Sequence, residues 1–300
     1  MNGQFLRSNP TDAAVSSTLM VSSVAVPGGA LAVEITDGDG AAVLAIHGIS
    51  SHRRLFDWLR AAAPEFRFIV PDLRGRGDSV AVTGASSITQ HAADMAAVLD
   101  ALGVDAAHVV GMSMGGFVAV ALATEHPERV RSVTLVDGGF PMTPPPGLTP
   151  DNVSLAFADR IARLAHPWGS VEEFAALFTS TTAPLLAADD PMVLAYLAHD
   201  LDDAGCVRLS GDALVSDAVS VYFGDNAWRD MKQPTRLIYA EWSVGADTAP
   251  AYSPSAVTGF AAELPSLVDA VRVDGVDHAT SIMSDKAAHV IADMLREATR

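Results

Sequence analysis

Short apolar or β-branched runs, separated by polar turns and by stretches with helical spacing, recur along this chain of 300 residues. Such runs are too short for helices and predict strands. The predicted strands cover 21–26, 31–35, 42–46, 66–70, 107–110, 133–136, 235–240 and 268–273, and the predicted helices cover 54–63, 89–102, 114–124, 255–263 and 285–297. From the third strand onward strand and helix alternate, which predicts an α/β protein with a mostly parallel sheet and helices on both faces.

The pattern changes between residues 138 and 233, where helix and loop residues dominate and no strand is predicted. We interpret 138–233 as a helical insertion into an α/β core formed by 19–137 and 234–300. Residues 1–18 are polar and lack the apolar centre of a signal peptide, so we interpret them as a flexible tail. The aromatic residues of the insertion are expected to build its own core, with one or two of them facing a cleft: Trp168, Phe174, Phe178, Tyr196, Tyr222, Phe223 and Trp228.

One segment, GMSMG at 111–115, follows an apolar predicted strand and opens a helix rich in small residues. A turn this tight needs small residues two positions before and two after its centre. The central Ser113 would then project above the sheet, at a helix N-terminus that favours developing negative charge. The segment predicts that Ser113 is a nucleophile, although a serine that only caps a closely packed helix fits the same pattern.

Two further loops follow predicted strands. The first, HGI at 47–49, would supply the backbone N–H of Ile49, which together with the N–H of Met114 would hold an oxyanion; an ordinary glycine turn is the alternative. The second, VDGVDH at 273–278, places His278 beyond the last strand. Loops at the carboxyl ends of parallel strands meet at one edge of a sheet, so His278 is the candidate base for Ser113.

Four segments in this order, HGISSH, PDLRGRGDS, GMSMGG and DGVDHAT, resemble the α/β-hydrolase superfamily over about residues 20 to 298. The resemblance implies an α/β-hydrolase fold, a Ser-His-acid triad, an oxyanion hole and a helical cap domain over the site. The insertion at 138–233 lies where the cap of that family would be.

The acid of the triad departs from the family pattern, because Ser243 stands where its carboxylate is expected. Three replacements are open. Asp137 ends the strand after the nucleophile helix, Asp247 lies four residues beyond Ser243, and Glu241 lies two residues before it. We favour Asp137, since a strand end supports a side chain more firmly than a loop does.

A serine nucleophile forms an acyl-enzyme, whereas dehalogenases and epoxide hydrolases of this fold use an aspartate. The interpretation is therefore a serine hydrolase that cleaves a moderately apolar carboxylic ester or lactone. One alternative is a carbon–carbon bond hydrolase acting on a vinylogous diketone; another is a non-catalytic ligand receptor on the same fold. Arg74 and Arg76 are interpreted as structural, His52 as a solvent-facing residue at a helix start, and Met112 and Met114 as lining an apolar pocket or filling the core.

The composition of the chain favours small molecules as its binding partners. A formal net charge of −17 disfavours nucleic acids and anionic membranes, and no apolar run is long enough to span a bilayer. The single Cys206 excludes an internal disulfide and a cysteine-built zinc site, and it fits a cytoplasmic location. No dinucleotide motif or metal-ligand spacing occurs, so no cofactor and no metal are expected. The sequence leaves open whether the chain forms a homo-oligomer.

Overall fold

A computed structural model of the chain describes residues 19–182 and 184–300. The predicted flexible tail at 1–18 lies outside the described residues. Within the described ranges, no helix combines the length and the apolar character required to cross a membrane.

Eight strands of the described chain form one sheet. They are β1 (Leu19–Val26), β2 (Gly29–Thr36), β3 (Ala42–Ile46), β4 (Arg67–Pro71), β5 (Ala107–Met112), β6 (Val130–Val136), β7 (Thr235–Ala240) and β8 (Leu267–Val273). Their order across the sheet is β1-β2-β4-β3-β5-β6-β7-β8. The β1–β2 and β2–β4 pairs are antiparallel, and all the other neighbouring pairs are parallel. The predicted mostly parallel sheet is confirmed.

Ten α-helices lie in the described ranges. They are α1 (Asp57–Ala62), α2 (Ile88–Ala101), α3 (Met114–Glu125), α4 (Val153–Ala156), α5 (Ala158–Leu164), α6 (Val171–Thr179), α7 (Pro191–Asp200), α8 (Gly211–Phe223), α9 (Pro254–Glu263) and α10 (Asp285–Ala298). Ser87, Ser253 and Ser284 each precede a helix and accept a hydrogen bond from the backbone N–H three residues later. These serines fix where α2, α9 and α10 begin, because they satisfy amides that the first helical turn leaves unpaired.

The sheet separates two apolar cores. Side chains of β3 alternate between them: Leu44 and Ile46 pack on the face covered by α2 and α3, while Val43 and Ala45 pack on the face covered by α1 and α10. All four are fully buried, which explains why this strand is apolar at every position rather than at every second one.

The chain between β6 and β7 carries α4 to α8, and its described residues add no strand to the sheet. Aromatic side chains pack within it as expected, since Trp168 stacks on Phe174 with 5.0 Å between ring centroids. Trp228 differs. It is 1% exposed and packs edge-on against Phe140 and Phe260, in the apolar core on the α2 and α3 side of the sheet and not among the other aromatic residues of the insertion.

Candidate active site

Ser113 occupies a strained turn between β5 and α3, with φ 55° and ψ −122°. The surrounding glycines are needed for close backbone approach. A Cβ at Gly115 would collide with the carbonyl oxygen of Ile46, and a Cβ at Gly111 would collide with the carbonyl oxygen of Gly115. A non-glycine residue held at positive φ costs free energy, which the packing around it must offset. The turn therefore keeps the Ser113 hydroxyl accessible at the carboxyl end of β5.

His278 lies between Ser113 and Asp137. The Nδ1 atom of His278 is 2.6 Å from Asp137 Oδ2, and Nε2 is 3.0 Å from Ser113 Oγ. An ionised carboxylate only accepts hydrogen bonds, so Nδ1 carries the proton and donates to Asp137. Nε2 is then free to accept the hydrogen bond that the Ser113 hydroxyl donates.

Asp137 is held in place from two sides. Its side chain is fully buried, Oδ1 accepts the N–H of Ala240 at 3.1 Å, and its own N–H donates to Ile238 O at 2.7 Å. The residue takes φ 44°, which turns the chain out of β6. These contacts fix the carboxylate beneath the imidazole of His278.

The other two acid candidates lie elsewhere. Glu241 accepts the N–H of Gly275 at 2.7 Å, and Asp247 is exposed. Ser243, which replaces the expected carboxylate, accepts the N–H of His278 with its backbone carbonyl at 2.9 Å. Of the three candidates from the sequence, the described structure brings Asp137 alone to His278.

The pKa of His278 reflects two opposing effects. Burial lowers the pKa, but the hydrogen bond to Asp137 and the charge of that carboxylate outweigh burial, so the pKa lies above its ordinary value of 6.5. The imidazole is thereby prepared to hold a second proton while Asp137 remains beside it.

The segment 47–49 passes directly beside Ser113, since a Cβ at Gly48 would lie 3.3 Å from Ser113 Cβ. His47 supports this segment: Nδ1 donates to Gly48 O at 2.8 Å, and Nε2 accepts the N–H of Leu73 at 2.9 Å. Burial lowers the pKa of His47 to about 4, so the ring is neutral and serves both bonds. Met114, the first residue of α3, directly follows Ser113, and Ile49 directly follows Gly48, which lies beside the serine.

Sequence reasoning missed Asp277, which is fully buried next to His278. Its Oδ2 accepts the N–H of Gly245 at 2.9 Å, and its Oδ1 accepts the N–H of Thr280 at 2.9 Å. These bonds join the loop after β7 to the loop after β8 and so set the position of His278. The D-x-x-T pattern at 277–280, in which a side chain bonds a nearby amide, is the signal that was available.

The arginines of the loop after β4 form buried ion pairs. Arg74 binds Asp94 through two hydrogen bonds of 2.7 and 2.8 Å, and Arg76 lies 2.6 Å from Asp217 of α8. The second pair joins the core to the insertion. Arg76 Nε also donates to the carbonyl oxygen of Ile49 at 3.1 Å, so this arginine supports the predicted oxyanion segment.

The expectation that His52 faces solvent is wrong. Its side chain is completely buried, its Nδ1 accepts the N–H of Arg54 at 3.3 Å, and its ring stacks on Tyr196 of α7 at 4.3 Å. The insertion covers this helix start, which a local sequence pattern does not reveal. Met112 and Met114 are also buried, and they pack in the cores on opposite faces of the sheet.

His52, Asp72 and His199 each offer one potential metal ligand, and these atoms lie within 4.8 Å of one another. Asp72 already accepts the backbone N–H of Arg53 and binds its guanidinium. That guanidinium supplies the positive charge that the buried carboxylate needs, and it would repel a metal cation at the same place. We therefore assign no metal to this group.

A family model described as the alpha/beta hydrolase fold matches residues 41–202. The chain belongs to the alpha/beta-hydrolase family. It is also similar to solved structures over almost its whole length. A crystal structure of E-2-(acetamidomethylene)succinate hydrolase has a TM-score of 0.73 and 22% identity, covering 94% of this chain and 99% of that one. An esterase from Thermogutta terrifontis has a TM-score of 0.70 and 20% identity, covering 95% and 100%. At these identities the likeness shows the fold.

Curated relatives match over shorter segments. A putative carbamate hydrolase, RutD, of Azorhizobium caulinodans is 48% identical over 80 residues, which are 27% of this chain and 30% of that protein. A 2-hydroxy-6-oxononadienedioate/2-hydroxy-6-oxononatrienedioate hydrolase of Burkholderia vietnamiensis is 47% identical over 76 residues, which are 25% and 26%. The matches thus span less than a third of the length of these relatives.

Proposed function

We propose that this protein is a serine hydrolase in which Ser113 attacks a carbonyl carbon and forms an acyl-enzyme. The observation that carries the proposal is the continuous pair of hydrogen bonds from Ser113 Oγ through His278 to Asp137, at 3.0 and 2.6 Å. A hydroxyl is a weak nucleophile until a base takes its proton, and an imidazole is a better base when a carboxylate stabilises its charged form.

The proposed reaction has two halves. As the Ser113 oxygen bonds to the carbonyl carbon, its proton passes to His278 Nε2, and the carbonyl oxygen becomes an oxyanion held by the N–H groups of Ile49 and Met114. The bond to the leaving group then breaks, and His278 returns the proton to that group. In the second half His278 takes a proton from water, whose oxygen attacks the acyl carbon; the acid is released and Ser113 regains its proton.

Electrostatics favour this reaction at three points. The dipole of α3 is positive at Met114, where the oxyanion forms. Asp137 is fully buried, so its charge acts on the imidazolium with little screening by water. Ser113 is already held in its strained turn before substrate binds, so little reorganisation is needed when the carbon–oxygen bond forms.

We propose further that the insertion at 138–233 acts as a cap over the site. Its helix α7 contacts the loop that follows the predicted oxyanion residues, since the Tyr196 hydroxyl donates to Ser51 Oγ at 3.0 Å. The substrate class we favour is a carboxylic ester or lactone that enters between this cap and the sheet. Because Met112 and Met114 are buried in the cores, an apolar pocket would have to be built by side chains of the cap.

A second candidate is hydrolysis of a carbon–carbon bond in a vinylogous diketone, which the same three residues can catalyse. It is favoured by the similarity to the 2-hydroxy-6-oxononadienedioate hydrolase noted above. Steady-state assays of such a diketone beside a panel of esters separate the two candidates by their kcat/KM. The third interpretation, a non-catalytic receptor, arose from the missing carboxylate at Ser243, and the Asp137–His278 hydrogen bond argues against it.

Labelling with a fluorophosphonate probe tests the proposal. Wild-type protein is expected to label at Ser113 and to hydrolyse p-nitrophenyl butyrate, whereas Ser113→Ala should do neither while unfolding at the wild-type temperature. The exposed Ser255 of α9 provides a control, and Ser255→Ala should label fully. Turnover or labelling retained by Ser113→Ala would refute the assignment.

A further inference from the structure

The guanidinium of Arg160 lies at the junction between the insertion and the predicted oxyanion segment. Arg160 belongs to α5, and its Nη2 donates to Ser50 Oγ at 2.8 Å. Ser50 directly follows Ile49. A cation is thereby fixed close to the place where a substrate would enter.

Arg160 is also close enough to His278 for its positive charge to affect the pKa of the imidazole. Its charge opposes protonation of His278, and its field reaches the phenols of Tyr196 and Tyr222 on α7 and α8. Tyr222 is half-buried and offers a second hydrogen-bond donor from the insertion.

Arg160 has no carboxylate partner among the described residues, unlike the other arginines near the site. Arg53, Arg74 and Arg76 each bind a buried carboxylate. The chain holds 36 acidic residues against 19 lysines and arginines, so acceptors for a guanidinium are abundant. The exposed guanidinium of Arg160, which is held at Ser50, therefore keeps N–H donors available for an anion from outside the chain.

We propose that Arg160 binds a carboxylate carried by the substrate, so that the hydrolase acts on esters or lactones that bear an acid group. This inference rests on the proposed function. A guanidinium presents five N–H donors in a plane that matches a carboxylate, and the bond to Ser50 occupies one of them.

A purely structural role for Arg160, in which it only holds α5 against Ser50, would affect substrates differently from a carboxylate subsite. Loss of a purely structural contact displaces the insertion and slows every substrate alike. Loss of a carboxylate subsite weakens binding of anionic substrates and leaves neutral ones unaffected. Matched substrates that differ only in charge therefore separate the roles.

The test compares mono-p-nitrophenyl adipate with its methyl ester, methyl p-nitrophenyl adipate, by release of p-nitrophenol. Wild-type protein is expected to prefer the anionic ester by about tenfold or more in kcat/KM. Arg160→Met should lower kcat/KM for the anionic ester by about 10–100-fold, mainly through KM, and change that for the methyl ester by less than about twofold. Arg160→Lys should retain part of the preference for the anionic ester, because lysine keeps the positive charge but cannot bind a carboxylate through two parallel N–H bonds.

Arg163 supplies the matched control, since it lies on the same helix and is exposed like Arg160, whereas Arg160 is the one that bonds Ser50. Arg163→Met removes one charge from α5 and should leave the preference unchanged. Equal losses on both esters in Arg160→Met, or a wild-type protein without preference for the anionic ester, would overturn the carboxylate subsite while leaving the serine hydrolase intact.

If the proposed function itself is wrong, the fluorophosphonate probe does not label Ser113 and neither ester is cleaved. The subsite is then judged by calorimetric titration with adipate, which needs no turnover. Binding to wild-type protein that is lost in Arg160→Met supports the subsite. Absence of binding, or equal binding by both proteins, overturns it.

Discussion

Asp137 Oδ2 lies 2.6 Å from His278 Nδ1, although 141 positions separate the two residues. Asp137 follows β6 and His278 follows β8, with β7 between them in the sheet. The Asp137 carboxylate reaches across to β7, where it accepts the N–H of Ala240, the last residue of that strand. An acid from β6 thus occupies the place that a residue after β7 would otherwise fill, which explains how Ser243 can stand there.

Replacing this carboxylate should abolish most of the activity. Asp137→Asn keeps the shape but no longer stabilises the imidazolium or fixes its tautomer, so kcat should fall by about 10⁴-fold. Asp247→Asn and Glu241→Gln serve as controls and should stay within about threefold of wild type, since neither residue contacts His278. A larger loss in Asp247→Asn than in Asp137→Asn would contradict the assignment.

Activity should depend on pH through His278. Only the neutral imidazole accepts the serine proton, and Asp137 raises its pKa above 6.5. The kcat/KM should therefore fall as the pH falls through a value above 6.5. In Asp137→Asn the raising effect is gone and burial remains, so the acid limb of the residual activity should move to lower pH. A wild-type limb centred below pH 6.5 would be inconsistent with the geometry.

The central strand β3 was predictable because burial on both faces of a parallel sheet forces a wholly apolar run. The proximity of Ser113 and His278 was predictable because both residues lie in recognisable local sequence motifs, a tight turn after β5 and a loop after the last strand. The acid was left open among three residues, since the contact depends on the lateral order of β6, β7 and β8. The burial of His52 was mispredicted because it depends on α7, which is remote in the chain and packs over it.

Two glycine substitutions should have opposite effects on stability. Gly115→Ala puts a Cβ against the carbonyl oxygen of Ile46, which belongs to a central strand and has no room to move. We expect a loss of about 2–4 kcal/mol in the free energy of unfolding, together with loss of activity. Gly259→Ala meets nothing within 4 Å on the exposed side of α9 and should gain about 0.5–1 kcal/mol. Urea unfolding of both variants measures the contrast; similar midpoints would disprove it.

The ion pair between Arg76 and Asp217 should be costly to break. Both side chains are almost fully buried, and Asp217 also bonds His91 and Ser86. Asp217→Ala leaves a buried guanidinium without its partner, which should lower the free energy of unfolding by about 3–5 kcal/mol. Asp212→Ala changes an exposed acid of the same helix and should cost less than about 1 kcal/mol. Chemical unfolding measures the free energy of unfolding of both variants. Equal losses in the two variants would argue against a stabilising ion pair between Arg76 and Asp217.

Acid should destabilise the fold through His47. Burial lowers its folded pKa to about 4, whereas the unfolded chain titrates near 6.5. The unfolded state therefore binds the additional proton between these values, and stability falls as the pH is lowered from 6.5 to 4, by about 1.4 kcal/mol per pH unit for one such group. His47→Asn should be less stable at pH 7 and should lose stability less steeply toward acid. An unchanged slope in this variant would exclude His47 as a source.

The helical insertion leaves the sheet after β6 and returns at β7, and these strands are hydrogen-bonded neighbours through pairs such as Val136 and Ile238. Because β6 and β7 are parallel, the insertion begins at the carboxyl end of β6 and returns to the amino end of β7, at the opposite edge of the sheet. A foreign helical segment placed here would have to make the same crossover and to keep Gly138 and Gly139, which pack on the backbone of Ser113 and Gly116. An exchanged insertion would also lack Asp217, so it would have to supply a new buried carboxylate for Arg76 or be accompanied by replacement of that arginine.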